Sequence, residues 1–225
     1  MRKAAKAAPA GSPSRSARRR ATFITPATIP SPAPNGQRRA VFFDRDGTLN
    51  EEVGYVNHPD RFQIFPFAAR AVREANEAGL LAVVVSNQSG VARGLFPESL
   101  VRTVNRQLVR EIRQHGGKLE TILYCPHHPQ ARVEQYRMEC TCRKPSAGLL
   151  EQAAARFGIH LASSFVVGDR YVDVAMAHRV GARSILVLTG YGRGEWQYHR
   201  KSWAQPPDYV AENVHDAVRW ILRNL

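Results

Sequence analysis

No run of about 18 consecutive apolar residues occurs in the chain, so no membrane-spanning helix is expected. An apolar leader of the secretory kind is also missing, which points to a cytoplasmic protein. Cysteine is scarce: three in 225 residues, with no Cys-x-x-Cys pair, which excludes a thioredoxin-like redox centre. Acids are absent from residues 1–39, although that stretch carries nine Lys/Arg and six of the fourteen prolines. No internal repeat is visible, so a solenoid or propeller is not expected.

The charge is unevenly placed. Subtracting those nine cations from the net charge of +13 leaves +4 for residues 40–225. The modest excess in the body of the chain suits an anionic substrate. Residues 1–37, rich in Pro, Ala and Ser, cannot bury enough apolar surface to offset the entropy of ordering and are expected to form a disordered basic extension. A targeting peptide, a nucleic-acid-binding arm or a polyanion tether are the functional alternatives for such a composition. The folded domain is expected over 38–225.

That domain is organised around Ala40-Val-Phe-Phe-Asp44-Arg-Asp46-Gly47-Thr48. Four apolar residues make a short buried strand, and the acids follow at i and i+2. At the carboxyl end of a strand in an open α/β sheet both carboxylates reach the ligand crevice. Acids so close repel each other, so a cation is expected beside them, and a hard divalent ion is the usual answer. An activated Asp is also able to accept a phosphoryl group.

Further apolar runs, at 80–86, 119–124, 164–168 and 184–189, read as strands, with a short one at 209–211. Helical spacing falls at 67–78, 97–115 (with Pro97 in the first turn), 146–157 and 174–180, and a closing amphipathic helix follows 214. This alternation implies a doubly wound parallel sheet. The segment 51–66 reads as a loop or small hairpin over the crevice. The second strand ends in Ser86-Asn87-Gln88-Ser89-Gly90, whose hydroxyls, amides and backbone N–H groups suit an oxyanion. The fourth ends in Gly168-Asp169, with Asp173 four residues on; a helix starting in the turn between them turns both acids to one crevice.

All three cysteines fall in the 18 residues from Cys125 to Cys142, as Cys125-x-His127 and Cys140-x-Cys142. Three thiols and an imidazole are a tetrahedral zinc set, and four protein ligands leave no open position, so the site is read as structural. His127 is preferred to His128 because its spacing from Cys125 repeats that of Cys140 and Cys142. Arg143-Lys144 follows directly and is placed to hold phosphate.

Taken in order, Asp44-x-Asp46-Gly-Thr, Ser86, Lys144 and Gly168-Asp169-x3-Asp173 resemble the motifs of the haloacid dehalogenase-type phosphatases over about residues 40–195. The zinc loop and the Ser86–Gly94 string resemble the branch that removes the 7-phosphate of a heptose 1,7-bisphosphate; the neighbouring histidinol phosphatases share the zinc loop. The resemblance implies a Rossmann-like fold with a minimal cap and a zinc-bound loop. It implies catalytic Asp44, Asp46, Ser86 and Lys144. It implies Mg2+ on Asp44, Asp46 and Asp169, with Asp173 holding metal-bound waters. It places Glu52, Val53, Gly54, Tyr55, Asn87, Gln88, Ser89, Arg143 and Arg170 around the substrate. The expected partner is a phosphorylated sugar. A monomer is expected, and neither a membrane nor a nucleic acid is an expected partner.

Overall fold

The computed structural model describes residues 38–225, together with Met1 and Gly36. Apart from those two residues, the expected extension over 1–37 lies outside the described residues. Six strands form one sheet: β1 (Ala40–Phe43), β2 (Leu81–Asn87), β3 (Thr121–Cys125), β4 (Phe165–Gly168), β5 (Arg183–Val187) and β6 (Tyr209–Ala211). Their spatial order is β3-β2-β1-β4-β5-β6, and every pairing is parallel. The chain runs outward from β1 through β2 and β3, then returns to β4 on the other side of β1. The crevice between the carboxyl ends of β1 and β4 is therefore the topological switch point, where such sheets bind ligands.

Alternation along β1 divides the core. Val41 and Phe43 pack in one layer with α1 (Ala68–Glu77), α2 (Glu98–Gln114) and α6 (Val214–Arg223). Ala40 and Phe42 pack in the other with α3 (Gly148–Phe157) and α4 (Tyr171–Arg179). Both faces are covered, which is why β2 reads as an unbroken apolar run. α2 carries Val101, Val104, Leu108 and Ile112 on its buried side, at helical spacing. Asn213 opens α6 by accepting hydrogen bonds from the backbone of His215 (3.0 Å) and Asp216 (3.1 Å).

Two local differences from the sequence pattern concern helix limits. Pro97 lies before the first turn of α2, in extended backbone (φ −74°, ψ 153°), and Glu98 starts the helix. Between Gly190 and residue 208 the pattern assigned no element. The chain there winds through α5 (Gly192–Gly194), a π-helical turn (Glu195–His199) and a 3-10 turn (Arg200–Ser202). It is held by a non-local contact: the ring of Trp203 stacks on that of Tyr171 with centroids 4.7 Å apart. The segment after β1 is a strap with hairpin-like bonds, Glu51 N donating to Gln63 O (2.8 Å) and Phe65 N to Leu49 O (3.0 Å). No described helix is long and apolar enough to cross a membrane.

Leu108 is fully buried in the layer under α2. Leu108→Ala is expected to destabilise the protein by about 2–5 kcal/mol, read as a lower midpoint in urea unfolding.

Candidate active site

Asp44 leaves the tip of β1 and Asp169 the tip of β4. Asp173 comes back to them from the first turn of α4. One oxygen of each of these carboxylates lies within 4.8 Å of the others. The fold admits Asp173 because residue 168 is glycine: a Cβ there would collide with the Asp173 carboxyl group. Gly47 has φ +81°, and a Cβ on it would collide with Asp169 Oδ2, as would one on Gly190. The hydroxyl of Thr189 donates to Gly47 O (2.6 Å) and Tyr191 N donates to Asp169 Oδ2 (2.8 Å), so the loop after β5 is tied to the loop after β1.

Lys144 enters from the cysteine loop, and its Nζ lies 2.8 Å from Asp44 Oδ1 and 2.6 Å from Asp173 Oδ1. Asn87 fixes the backbone of Lys144, accepting from its N–H (3.1 Å) and donating to its carbonyl (3.3 Å). Burial disfavours the lysine charge, but Asp173 and Asp44 outweigh it and raise Lys144 above the usual lysine value. Burial pushes Asp44 up to about 7 against the pull of Lys144, with Asp173 and Asp46 adding repulsion. Burial, with repulsion from Asp44 and Asp173, raises Asp169 well above the usual carboxylate range.

One ammonium does not neutralise three converging carboxylates. The oxygen Asp169 Oδ1 is buried without a hydrogen-bond partner. An orphaned carboxylate oxygen facing other hard oxygen donors fits a divalent cation such as Mg2+.

Asp46 is held differently. Arg45 grips it side-on, Nε reaching Oδ1 (3.2 Å) and Nη2 reaching Oδ1 (3.0 Å) and Oδ2 (2.8 Å). The Asn50 and Gln88 amides donate to Oδ1 (3.0 Å) and Oδ2 (2.8 Å). Burial works against its ionisation, yet the Arg45 guanidinium and these amides hold Asp46 below the usual carboxylate range. The Gln88 amide also donates to Ser86 Oγ (2.9 Å).

Asp44, Asp46, Ser86, Lys144 and Asp169 line a cavity of about 210 Å³. Glu52, Gly54, Tyr55, Ser89, Arg143 and Arg170 also line it. Val53 does not: it packs against the core while Val56 lines the cavity, because the strap turns at Gly54 (φ +77°). Asn87 and Gln88 reach the cavity, but the polar contacts described above turn them to Lys144 and to Asp46 with Ser86. Asp173 was expected to hold metal-bound waters. Its oxygens accept from Lys144 Nζ (2.6 Å) and from Arg170 N (3.3 Å).

Sequence reasoning missed Arg45, Asn50, Asn105, Phe96 and Tyr191. Only Arg45 left a signal: it stands between two acids that needed a cation.

The thiol cluster also closes. Cys125 Sγ lies 3.8 Å from His127 Nδ1 and 3.5 Å from Cys140 Sγ; Cys142 Sγ lies 3.3 Å from both Cys140 Sγ and His127 Nδ1. Tetrahedral ligands on bonds of about 2.0–2.3 Å have edges near these lengths. His128 turns away, its Nε2 lying 3.1 Å from Arg93 Nη2.

Acids at the tips of adjacent parallel strands, the first of them bridged by a buried lysine to an acid in the helix turn that follows the second, beside a strand-end serine, define a haloacid dehalogenase-like phosphoric monoester hydrolase. A family model described as HAD-hydrolase-like matches residues 141–217. The D-glycero-beta-D-manno-heptose-1,7-bisphosphate 7-phosphatase of Escherichia coli K12 is 39% identical over 188 residues, covering 83% of this chain and 89% of that protein. The D-glycero-D-manno-heptose-1,7-bisphosphate 7-phosphatase of Thermosynechococcus vestitus is 38% identical over 196 residues, covering 84% and 97%. The crystal structure of the D,D-heptose 1,7-bisphosphate phosphatase of B. bronchiseptica, complexed with magnesium and phosphate, superposes with a TM-score of 0.73 at 30% identity, covering 83% and 99%. The chain belongs to the D-glycero-D-manno-heptose-1,7-bisphosphate 7-phosphatase family.

Gly47→Ala places a methyl group against Asp169 Oδ2 and strains a left-handed backbone. It is expected to lower kcat by about 100-fold or more, with the fold retained by circular dichroism.

Proposed function

We propose that the chain removes the 7-phosphate of D-glycero-D-manno-heptose 1,7-bisphosphate in a magnesium-dependent reaction through an aspartyl-phosphate. The observation that carries this reading is the convergence of Asp44, Asp46, Ser86, Lys144 and Asp169 on one cavity. The names of the relatives support the substrate, and the magnesium and phosphate in the B. bronchiseptica structure support the metal.

A carboxylate oxygen of Asp44 attacks phosphorus as the bond from phosphorus to the sugar oxygen breaks. Asp46 gives its proton to that leaving oxygen. Water then attacks the phosphorylated Asp44 and passes a proton to Asp46, and the Asp44–phosphorus bond breaks to release phosphate. Ser86 and Lys144 hold the phosphoryl oxygens, and Asp173 orients Lys144 for that task. Asp44, the Asp46 carbonyl and Asp169 would hold magnesium, which would supply charge neutralisation between an anionic nucleophile and an anionic ester. Glu52, Gly54, Tyr55 and Ser89 face the sugar, with Arg143 and Arg170 positioned for its remaining anionic group.

Cys125, His127, Cys140 and Cys142 form a structural zinc site in this reading. The site lies two residues from Lys144 in sequence, so the metal-stapled loop positions a catalytic cation.

Phosphate release measured across heptose 1,7-bisphosphate and histidinol phosphate tests the substrate; a higher kcat/KM for histidinol phosphate would transfer the assignment to that ester. Asp44→Asn is expected to lower kcat by at least about 10³-fold and to abolish labelling of the protein by substrate phosphate. Full activity in that variant would end the covalent reading. Purified protein is expected to carry equimolar zinc by atomic emission, and Cys140→Ser is expected to lose it with a lower Tm.

A further inference from the structure

Arg45 is only 2% exposed. A buried arginine next to a catalytic acid could simply neutralise it. Its geometry points to more. The Nε–Nη2 edge of the planar guanidinium grips the Asp46 carboxylate, while Nη1 donates to Asn105 Oδ1 (3.0 Å). The Phe62 ring lies beside the guanidinium carbon, 5.7 Å from centroid to Cζ. Asn105 belongs to α2, whose buried side is locked in the core by Val104 and Leu108. The core therefore fixes Asn105, Asn105 fixes the guanidinium plane, and that plane fixes the carboxylate. A side-on fork specifies orientation as well as charge, which an ammonium does not. Asn50 and Gln88 hold the same carboxylate from its other directions. Every group in this cradle donates a hydrogen bond and none faces Asp46 as an acceptor.

We propose that Arg45, anchored on Asn105, is a positioning residue that sets the direction in which Asp46 exchanges its proton with the bound phosphate ester. The inference rests on the acid–base reading of Asp46. Displacement of the carboxyl oxygen by about 1 Å misaligns the proton with the leaving oxygen, at a cost that reaches about 100-fold.

The test uses the full chain with magnesium and the variants Arg45→Met, Arg45→Lys and Asn105→Ala, with Asp46→Asn as reference. Each is assayed on the heptose bisphosphate, whose alkoxide leaving group needs a proton, and on p-nitrophenyl phosphate, whose nitrophenolate leaves without one. For Arg45→Met, kcat on the sugar ester is expected to fall about 100-fold with KM within about threefold. First-turnover release of nitrophenolate, which reports attack by Asp44, is expected to stay within about threefold of the parent. Arg45→Lys keeps the charge but loses the fork, and is expected to resemble Arg45→Met. Asn105→Ala retains Arg45 and is expected to lose about tenfold on the sugar ester alone. It keeps the question answerable if the Arg45 variants do not fold. Equal losses on both esters, or parental kcat in Arg45→Lys, would overturn the proposal and leave Arg45 a plain charge partner. Parental kcat in Asp46→Asn would instead overturn the acid–base reading itself.

Discussion

Charge balance among buried groups is the constraint on which the rest of the structure depends. Asp44, Asp169 and Asp173 are drawn together at the switch point of the sheet, and Lys144 lies between two of them. Breaking a buried pair of this kind typically costs about 3–5 kcal/mol, because the partner is left charged and unpaired. Lys144 is therefore part of the fold as much as of the chemistry. Its delivery explains the cysteine loop: a chain segment without regular structure must bring an ammonium to a fixed point. The cross-chain bonds from Asn87 and the clustered thiols hold it there.

The two acids of the first motif share a sequence neighbourhood but not an environment. Asp44 keeps Lys144 beside it and lies close to Asp169 and Asp173, where a divalent cation fits. Asp46 is gripped from outside the cation site by Arg45, Asn50 and Gln88. Burial with carboxylate repulsion raises Asp44, whereas the guanidinium lowers Asp46.

Glycine makes the close approach possible. Gly47, Gly168 and Gly190 each lie where a methyl group would strike an active-site carboxylate. Loops after three strands, β1, β4 and β5, thus meet around Asp169. The Thr189 and Tyr191 bonds close this contact, so the segment after β5 supports the site although it carries none of the expected catalytic groups.

The sheet, most of the helices and the acids that meet in the site were legible in the sequence, because period, strand-end acids and glycine stops are local properties of the chain. The cysteine cluster was legible for a related reason: three thiols confined to 18 residues stay near one another in any fold. Partners brought in by topology were not legible. Asn105 meets Arg45 across 60 positions, Tyr191 N meets Asp169 across 22, and Trp203 stacks on Tyr171 to shape a segment with no periodic pattern. The direction of Asn87 and Gln88 toward Lys144 and Asp46 and the turn of Val53 toward the core depended likewise on side-chain and backbone angles. Sequence alone determined which chemical groups are present and on which elements they ride. Tertiary structure decided which of them touch, because contacts between distant residues depend on how the layers pack rather than on any local spacing.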